Sequence, residues 1–370
     1  MSACRPELAV IVPTYNEAAN IQAVIDGLEQ ALTGIDWELI VVDDDSPDGT
    51  AERVRSLACE HPRVRVLQRI GRRGLSSACI EGMLATTAPY LAVMDADMQH
   101  DEALLPRMLE RAKVAGLDLV VGSRYVAGGG LGDWSEQRRS MSRLAGAIGR
   151  RLIKADLKDP MSGFFLLRAE VLHQCVRRLS GVGFKILLDI FASHPRPLRF
   201  EELPYEFRAR QAGASKLDNA VLWEYLLMLL QKLAGPLVPA RFIGFSLIGG
   251  SGVVVHMLVL WLLYRVADTS FLLGQSVATL VAMTTNFFLN NILTYSDMRL
   301  RGRELLRGWV SFVVACSVGA FANVGVASYL FQADSFWVLS ALSGILVGAV
   351  WNYAVTAVYT WRKPSGARAQ

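Results

Sequence analysis

The chain has 370 residues, with 38 Lys and Arg against 34 Asp and Glu, for a formal net charge of +4. That charge is too small to argue for nucleic acid as a partner. With 52% hydrophobic residues and a mean hydropathy of +0.31, the chain is also too apolar for a purely soluble protein of two domains.

Residues 8–122 alternate in type. Strand-like apolar runs at Leu8–Val12, Leu39–Val42, Val64–Leu67, Tyr90–Met94 and Leu119–Val121 are separated by helix-like stretches near Ala18–Leu32, Thr50–Glu60, Gly74–Thr86 and Glu102–Ala115. This pattern predicts an α/β domain built on a mainly parallel sheet. Such sheets bind ligands at the carboxyl ends of their strands. Three polar clusters fall at those ends: Pro13-Thr14-Tyr15-Asn16-Glu17, Asp43-Asp44-Asp45-Ser46-Pro47-Asp48-Gly49-Thr50 and Asp95-Ala96-Asp97-Met98-Gln99. Each has a bland alternative: Asn16 and Thr50 as helix N-caps, Ser46–Gly49 as a plain turn, Asp95 and Asp97 as a solvated acidic turn. Three such clusters on one rim predict a site for hydroxyls, phosphates and a metal. A carboxylate pair at a buried strand end wants a cation. Hard oxygen ligands suit Mg²⁺ or Mn²⁺, which bridge substrate phosphates. No GxGxxG follows the first strand and no GxxxxGK[ST] occurs, so the dinucleotide fingerprint and the P-loop are both absent.

Further along, Met141, Leu144, Ile148 and Leu152 recur at helical spacing among Arg139, Arg143, Arg150, Arg151 and Lys154. This predicts a basic amphipathic helix at a membrane surface. Leu217–Leu233 is a second candidate, with Val221, Leu222, Tyr225, Leu229 and Leu233 on its apolar side. From Phe242 to Thr360 only nine Asp, Glu, Lys or Arg occur, and they leave four uncharged stretches: 242–264, 271–296, 308–333 and 335–361. Each exceeds the roughly 20 residues that span a bilayer. Arg299, Arg301, Arg303 and Arg307 between the second and third stretches, with Arg362, Lys363 and Arg368 after the fourth, predict that the N-terminal domain, this loop and the tail share the cytoplasmic side. The five cysteines have no metal-ligand spacing and read as free thiols. No internal repeat is evident.

The motif set resembles the family 2 glycosyltransferases with the GT-A fold and, within them, the dolichol- or polyprenol-phosphate mannose synthases. The residues that carry the resemblance are the three clusters above with His100, Gly71 to Gly74, Gly122-Ser123-Arg124-Tyr125, Trp134 with Arg138, Ser162-Gly163-Phe164, and Arg210 with Gly213 and Ser215-Lys216-Leu217. They cover about residues 8–217 in the family's order. Ile70 departs from the pattern, where a small polar or basic residue is expected. The four-span module resembles GtrA-like membrane domains, on span number, short loops and polar segments such as Thr284-Thr285-Asn286 and Asn290-Asn291.

The resemblance implies a cytoplasmic GT-A domain over residues 1–234, with interfacial amphipathic helices, and a transmembrane domain over 235–370. It implies transfer of mannose from GDP-mannose to a polyprenyl (dolichyl) monophosphate with inversion, at a bilayer surface. Two alternatives stay open: the same reaction with UDP-glucose or another UDP-sugar, and a lipid-carrier transporter with a degenerate transferase domain. The implied roles put Pro13, Tyr15, Glu17, Val42 and Asp44 on the guanosine and ribose. Asp95, Asp97 and Gln99 would hold Mg²⁺ or Mn²⁺ on the diphosphate, with Ala96 beside them. Arg124, Arg138, Arg210 and Lys216 would hold phosphates. Asp95, Asp97, Arg124 and Arg138 are the implied catalytic set.

Overall fold

The computed structural model of the chain describes residues 5–130, 153, 155–181, 183, 185–208, 219–235, 238–332 and 337–361. It divides into two compact units, Met1–Pro236 and Leu237–Gln370.

The first unit is a mixed, mainly parallel α/β domain, as the alternation predicts. Its elements run β1 (Leu8–Thr14), α1 (Ile21–Ala31), β2 (Trp37–Asp43), α2 (Thr50–Ala58), β3 (Val64–Gln68), α3 (Leu75–Leu84), β4 (Tyr90–Val93), α4 (Leu105–Val114) and β5 (Leu119–Ser123). Then come β6 (Phe165–Arg168), α5 (Ala169–Cys175), α6 (Ile186–Ser193), β7 (Phe200–Pro204) and α7 (Asn219–Ala234). The sheet order is β3-β2-β1-β4-β6-β5-β7, and β6 is antiparallel to both neighbours. The carboxyl ends of β1, β2, β4 and β5 therefore open on one edge, and β6 begins there. The central strands are apolar on both faces because both are covered. Val10, Val12, Leu39 and Val41 pack in one core with α1 and α4, while Ala9, Ile11, Ile40 and Val42 pack in the other with α3 and α6. Of the predicted stretch 139–155, Ile153 and Ala155 are described and pack in this second core; the rest of that amphipathic reading lies outside the described residues. Leu229 of α7 also packs there with Met228, so this part of the second amphipathic candidate faces protein. Cys59, Cys79, Cys175 and Cys316 are free thiols.

The described residues of the second unit form four helices: α8 (Ala240–Trp261), α9 (Phe271–Leu289), α10 (Gly302–Gln332) and α11 (Trp337–Val355). Among the described residues three helical segments are long and apolar enough to cross a membrane: Ala240–Val266, Phe271–Thr294 and Gly302–Phe321. The third begins before its predicted start, so Arg303 and Arg307 lie on its first turns rather than in a loop.

The two helical hairpins carry matching devices. α8, α9 and α11 each end in a π-helical turn, at Leu262–Val266, Asn290–Thr294 and Thr356–Thr360, and the last two share their side-chain pattern. In the register that superposes these last two turns, Asn286 matches Asn352, Phe287 matches Tyr353 and Tyr295 matches Trp361. Asn286 lies against Gly252 of α8, and Asn352 lies against Gly319 of α10; a Cβ on either glycine would collide with the amide. Across the bundle Tyr295 stacks on Trp361 with ring centroids 4.1 Å apart, and Phe245 packs near Phe312 at 6.3 Å. Asn291 closes this end: its Oδ1 accepts from Trp361 Nε1 at 3.1 Å and Leu300 N at 2.8 Å. In a bilayer such side-chain pairing and close glycine contact take the place of hydrophobic burial. Gly252→Ala and Gly319→Ala should each push an asparagine amide out of its seat, at a cost of about 1–3 kcal/mol for overpacking. Thermal unfolding of the two variants in detergent should show comparable losses, since the two contacts are equivalent; wild-type stability in both would contradict the packing.

Candidate active site

The ends of β1 and β2 are laced together by the carboxylates of the Asp43–Thr50 segment. Asp43 is fully buried; its Oδ1 accepts from Thr14 Oγ1 at 3.1 Å and Ser46 Oγ at 2.5 Å, and its Oδ2 accepts from Ser46 N at 3.0 Å. Ser46 Oγ in turn accepts from Asn16 N at 2.9 Å. Asp48 Oδ2 accepts from Ala18 N at 3.1 Å, and its Oδ1 from Thr50 Oγ1 at 2.6 Å, while Thr50 Oγ1 accepts from Glu17 N at 3.1 Å. Burial alone would raise the Asp48 carboxyl, but these hydrogen bonds outweigh it and hold it below the usual range. Asp43 and Asp48 are thus structural, and what they build is the backbone that presents Pro13, Tyr15 and Glu17.

Asp44 faces the other way. Its carboxylate pairs with Arg69 Nε at 2.9 Å and accepts from Gly74 N at 2.7 Å. Burial raises its pKa, against the lowering effects of Gly74 and Arg69. Arg69 is itself 1% exposed. The sequence signal for it was present, one residue before the atypical Ile70, but its burial was not foreseeable from composition.

The third cluster sits at the end of β4. Asp97, Gln99 and His100 are buried, while the side chain of Asp95 is 36% exposed. Asp97 Oδ1 accepts from Gln99 N at 3.2 Å, and Gln99 Nε2 donates to Arg208 O at 3.1 Å. His100 Nδ1 accepts from Asp95 N at 3.0 Å, so the ring carries its proton on Nε2, which lies 3.7 Å from Asp95 Oδ2. Its pKa is lowered, chiefly by burial, against the pull of Asp95 and Asp97. The ring stacks on Phe164 at 5.1 Å and meets Tyr205 and Phe207 edge-on. Gly163, delivered by the start of β6, leaves room for Asp95: a Cβ there would stand 3.2 Å from Asp95 Oδ2. Of the four non-glycine residues at positive φ among the described residues, Asn16, Asp45 and Met98 fall one in each cluster. Strained backbone of this kind, at about 1–3 kcal/mol each, concentrates where function requires it.

Arg124, at the end of β5, is 8% exposed. It donates to Asp159 from Nε at 2.8 Å, Nη2 at 2.9 Å and its backbone N at 3.2 Å. Asp159 is fully buried, and the partnership raises the arginine's pKa against the effect of its burial. At least two of the five N–H donors of this guanidinium, those of Nε and Nη2, are therefore committed to Asp159. Asp159 was not singled out by the sequence, because nothing in Leu157-Lys158-Asp159-Pro160 distinguishes it from a surface turn.

The structure thus brings Pro13, Tyr15, Glu17, Val42, Asp44, Asp95, Ala96, Asp97, Gln99 and Arg124 to one edge of the sheet. Arg138, Arg210 and Lys216 lie outside the described residues. Among the described residues no three His, Cys, Asp or Glu side chains cluster as a metal site. Two carboxylates with few further protein ligands fit a hard divalent cation whose remaining positions are taken by water and phosphate oxygens. Asp159→Ala should strand the Arg124 charge inside the protein. Removing one partner of a buried pair costs about 3–5 kcal/mol. Denaturant unfolding should register a loss of that order, and an unchanged midpoint would show the pair to be unimportant.

Comparison with known proteins adds kinship to this geometry. Residues 9–176 match the family described as glycosyl transferase family 2, and residues 244–361 match the GtrA/DPMS transmembrane domain. A dolichol-phosphate mannosyltransferase of Pyrococcus furiosus is 35% identical over 363 residues, covering 96% of this chain and 99% of that protein. A dolichol-phosphate mannosyltransferase of Saccharomyces cerevisiae is 38% identical over 229 residues, covering 60% of this chain and 84% of that protein. Among solved structures, glucosyl-3-phosphoglycerate synthase of Mycobacterium tuberculosis, in complex with Mn²⁺, UDP and glucosyl-3-phosphoglycerate, aligns at 20% identity and a TM-score of 0.46, covering 62% of this chain and 80% of that one. Given the match across nearly its whole length, the chain belongs to the dolichol-phosphate mannosyltransferases, as a family 2 glycosyltransferase domain joined to a GtrA/DPMS transmembrane domain.

Proposed function

We propose that this membrane glycosyltransferase moves mannose from GDP-mannose to a polyprenyl (dolichyl) monophosphate with inversion, giving the β-mannosyl phosphate, on the cytoplasmic face of the bilayer. The observation that carries this reading is the meeting of the Asp95–Gln99 cluster with the β1 and β2 loops on one sheet edge, in a chain of this kinship. The cytoplasmic placement rests on the arginines around the spans.

In this proposal Pro13, Tyr15, Glu17, Val42 and Asp44 form the guanosine and ribose site, and Asp95, Ala96, Asp97 and Gln99 the diphosphate end. Asp95, Asp97 and Gln99 hold Mg²⁺ or Mn²⁺, which when bound offsets the charge of the departing diphosphate. The Asp97 carboxylate is oriented by its bond to Gln99 N, while His100 holds the backbone at Asp95 and places its Nε2 3.7 Å from Asp95 Oδ2. Arg124, Arg138, Arg210 and Lys216 serve the phosphates of donor or acceptor. The lipid phosphate is already an anion at neutral pH, so the reaction needs no general base of the kind a sugar hydroxyl requires. Residues 1–234 carry the chemistry, and the helices beyond them supply membrane residence.

The test is transfer by the purified full-length protein in detergent, with polyprenyl phosphate and a panel of radiolabelled nucleotide sugars. GDP-mannose should be the donor used, and NMR of the product should give the β anomer. Chelation by EDTA and the Asp97→Ala substitution should each abolish transfer without unfolding the protein. Preference for UDP-glucose would overturn the donor, and full activity in metal-free buffer would overturn the metal role.

A further inference from the structure

Three arginines stand close together in the segment Arg69-Ile70-Gly71-Arg72-Arg73-Gly74, between β3 and α3. Their surroundings differ sharply. Arg69 is buried and spends its guanidinium inside the protein: on Asp44, on Ser77 Oγ at 3.0 Å and on Gly74 O at 3.4 Å. Arg72 is exposed and pairs with Glu81 at 3.0 Å. Arg73 is exposed, and among the described residues it makes neither an ion pair nor a hydrogen bond. Its guanidinium carbon instead lies 4.4 Å from the centre of the Tyr15 ring.

This position is built rather than incidental. The loop is stapled at its base from both sides onto one carboxylate, with Arg69 on Asp44 Oδ1 and Gly74 N on Asp44 Oδ2. Gly71 and Gly74 have φ of 68° and 134°, which lets the chain turn sharply between the staples. Tyr15 is held from below by the lacing of the β1 and β2 loops, through Asn16 N on Ser46 and Glu17 N on Thr50. Two independently anchored loops therefore bring a cation and an aromatic face together. Arginine over a ring face interacts through its charge and keeps its N–H edges for hydrogen bonds.

We propose that Arg73 is a specificity-determining residue that selects the donor's nucleobase, its planar fork reading the two adjacent acceptors, O6 and N7, of a 6-oxopurine. The inference rests on the nucleotide reading of Tyr15 and Asp44 given above. A two-pronged donor matches guanine or hypoxanthine. Adenine presents an amino donor at C6, and uracil offers only an isolated carbonyl on the corresponding edge. Lysine at the same position would keep the charge but not the fork. Asp44 then acts on the base at second hand, by holding the loop.

The experiment is calorimetric titration of the full-length protein in detergent with GDP, IDP, 7-deaza-GDP, ADP and UDP, for wild type, Arg73→Ala, Arg73→Lys and the neighbouring Arg72→Ala. A good bidentate pair is worth about 1–3 kcal/mol, so Arg73→Ala should weaken GDP and IDP by roughly five- to 150-fold. UDP and ADP should change little, and Arg73→Lys, which keeps the charge and loses the planar fork, should recover only part of the GDP affinity. In wild type 7-deaza-GDP, which lacks N7, should bind more weakly than GDP, and Arg73→Ala should cost it less. Arg72→Ala should leave the GDP-to-UDP ratio unchanged. If Arg73→Ala retains the wild-type ratio of GDP to UDP affinity, the inference is wrong. If wild type itself shows no preference for GDP over UDP, the donor reading fails first.

Discussion

Two buried carboxylates at the end of β2 set the constraint on which the catalytic unit depends. Asp43 is fully buried and Asp44 nearly so, and a buried carboxylate is tolerable only when hydrogen-bonded or paired. Asp43 takes its bonds from Thr14 and Ser46, which ties the β1 loop to the β2 loop. Asp44 takes its partners from Arg69 and Gly74, which ties in the loop before α3. Three loops that are distant in sequence are thus fixed around one strand end. The acidic run in the sequence is as much a scaffold as a ligand site, and the groups that can meet substrate are those the scaffold presents.

The parallel half of the sheet was legible because its strands are buried on both faces and read as unbroken apolar runs. β1 to β5 lie within a few residues of the runs that announce them. β6 and β7 were not read, for opposite reasons. β6 is only four residues, Phe165–Arg168, and passes for a helix start. β7 carries Glu201 and Glu202, which look solvated. In the fold Glu201 meets Arg111 at 2.7 Å, and Glu202 accepts the backbone N–H groups of Lys158 and Asp159. The site showed the same asymmetry. Clusters that follow an apolar run were found, whereas Asp159 and the burial of Arg69 were not, because a partnership across many residues leaves no local trace. The pairing of Asp159 with Arg124 spans a stretch of sequence that no spacing rule connects.

The membrane unit hid its repeat for a related reason. Equivalent positions keep a physical role while changing the residue: Phe287 and Tyr353 are both aromatic, Asn290 and Thr356 are both polar in a π-helical turn, and Tyr295 and Trp361 form the two halves of one stack. Thr356 Oγ1 donates to Asn352 O at 2.6 Å, and Asn290 Nδ2 donates to Asn286 O at 2.9 Å. The equivalent backbone oxygen thus accepts from a different side chain in each hairpin, and at Asn286 it also accepts the Asn290 backbone N–H. Where the surroundings cannot supply hydrogen bonds, a polar side chain at this position must find its partner within the helix. That requirement preserves geometry rather than sequence identity, which is why the match emerges only once the turns are aligned.

The distribution of positive charge in the catalytic unit follows from the same accounting. An arginine buried without a partner would be strongly destabilising, so Arg69 and Arg124 can sit inside only because Asp44 and Asp159 sit with them. Each such pair is close to neutral and exerts little field beyond its neighbours. It can shape the site and, at Arg124, orient a phosphate, but it offsets little of the charge of an incoming diphosphate. The carboxylates of Asp95 and Asp97 add charge of the wrong sign. Under the proposed reading, the cation that makes this edge receptive must arrive with the substrate or reside on mobile surface side chains. A metal held by two carboxylates meets that need, since it binds firmly only when phosphate oxygens complete its shell. Donor and metal would then favour one another's binding, and the buried ion pairs would ensure that the pocket they share is already formed.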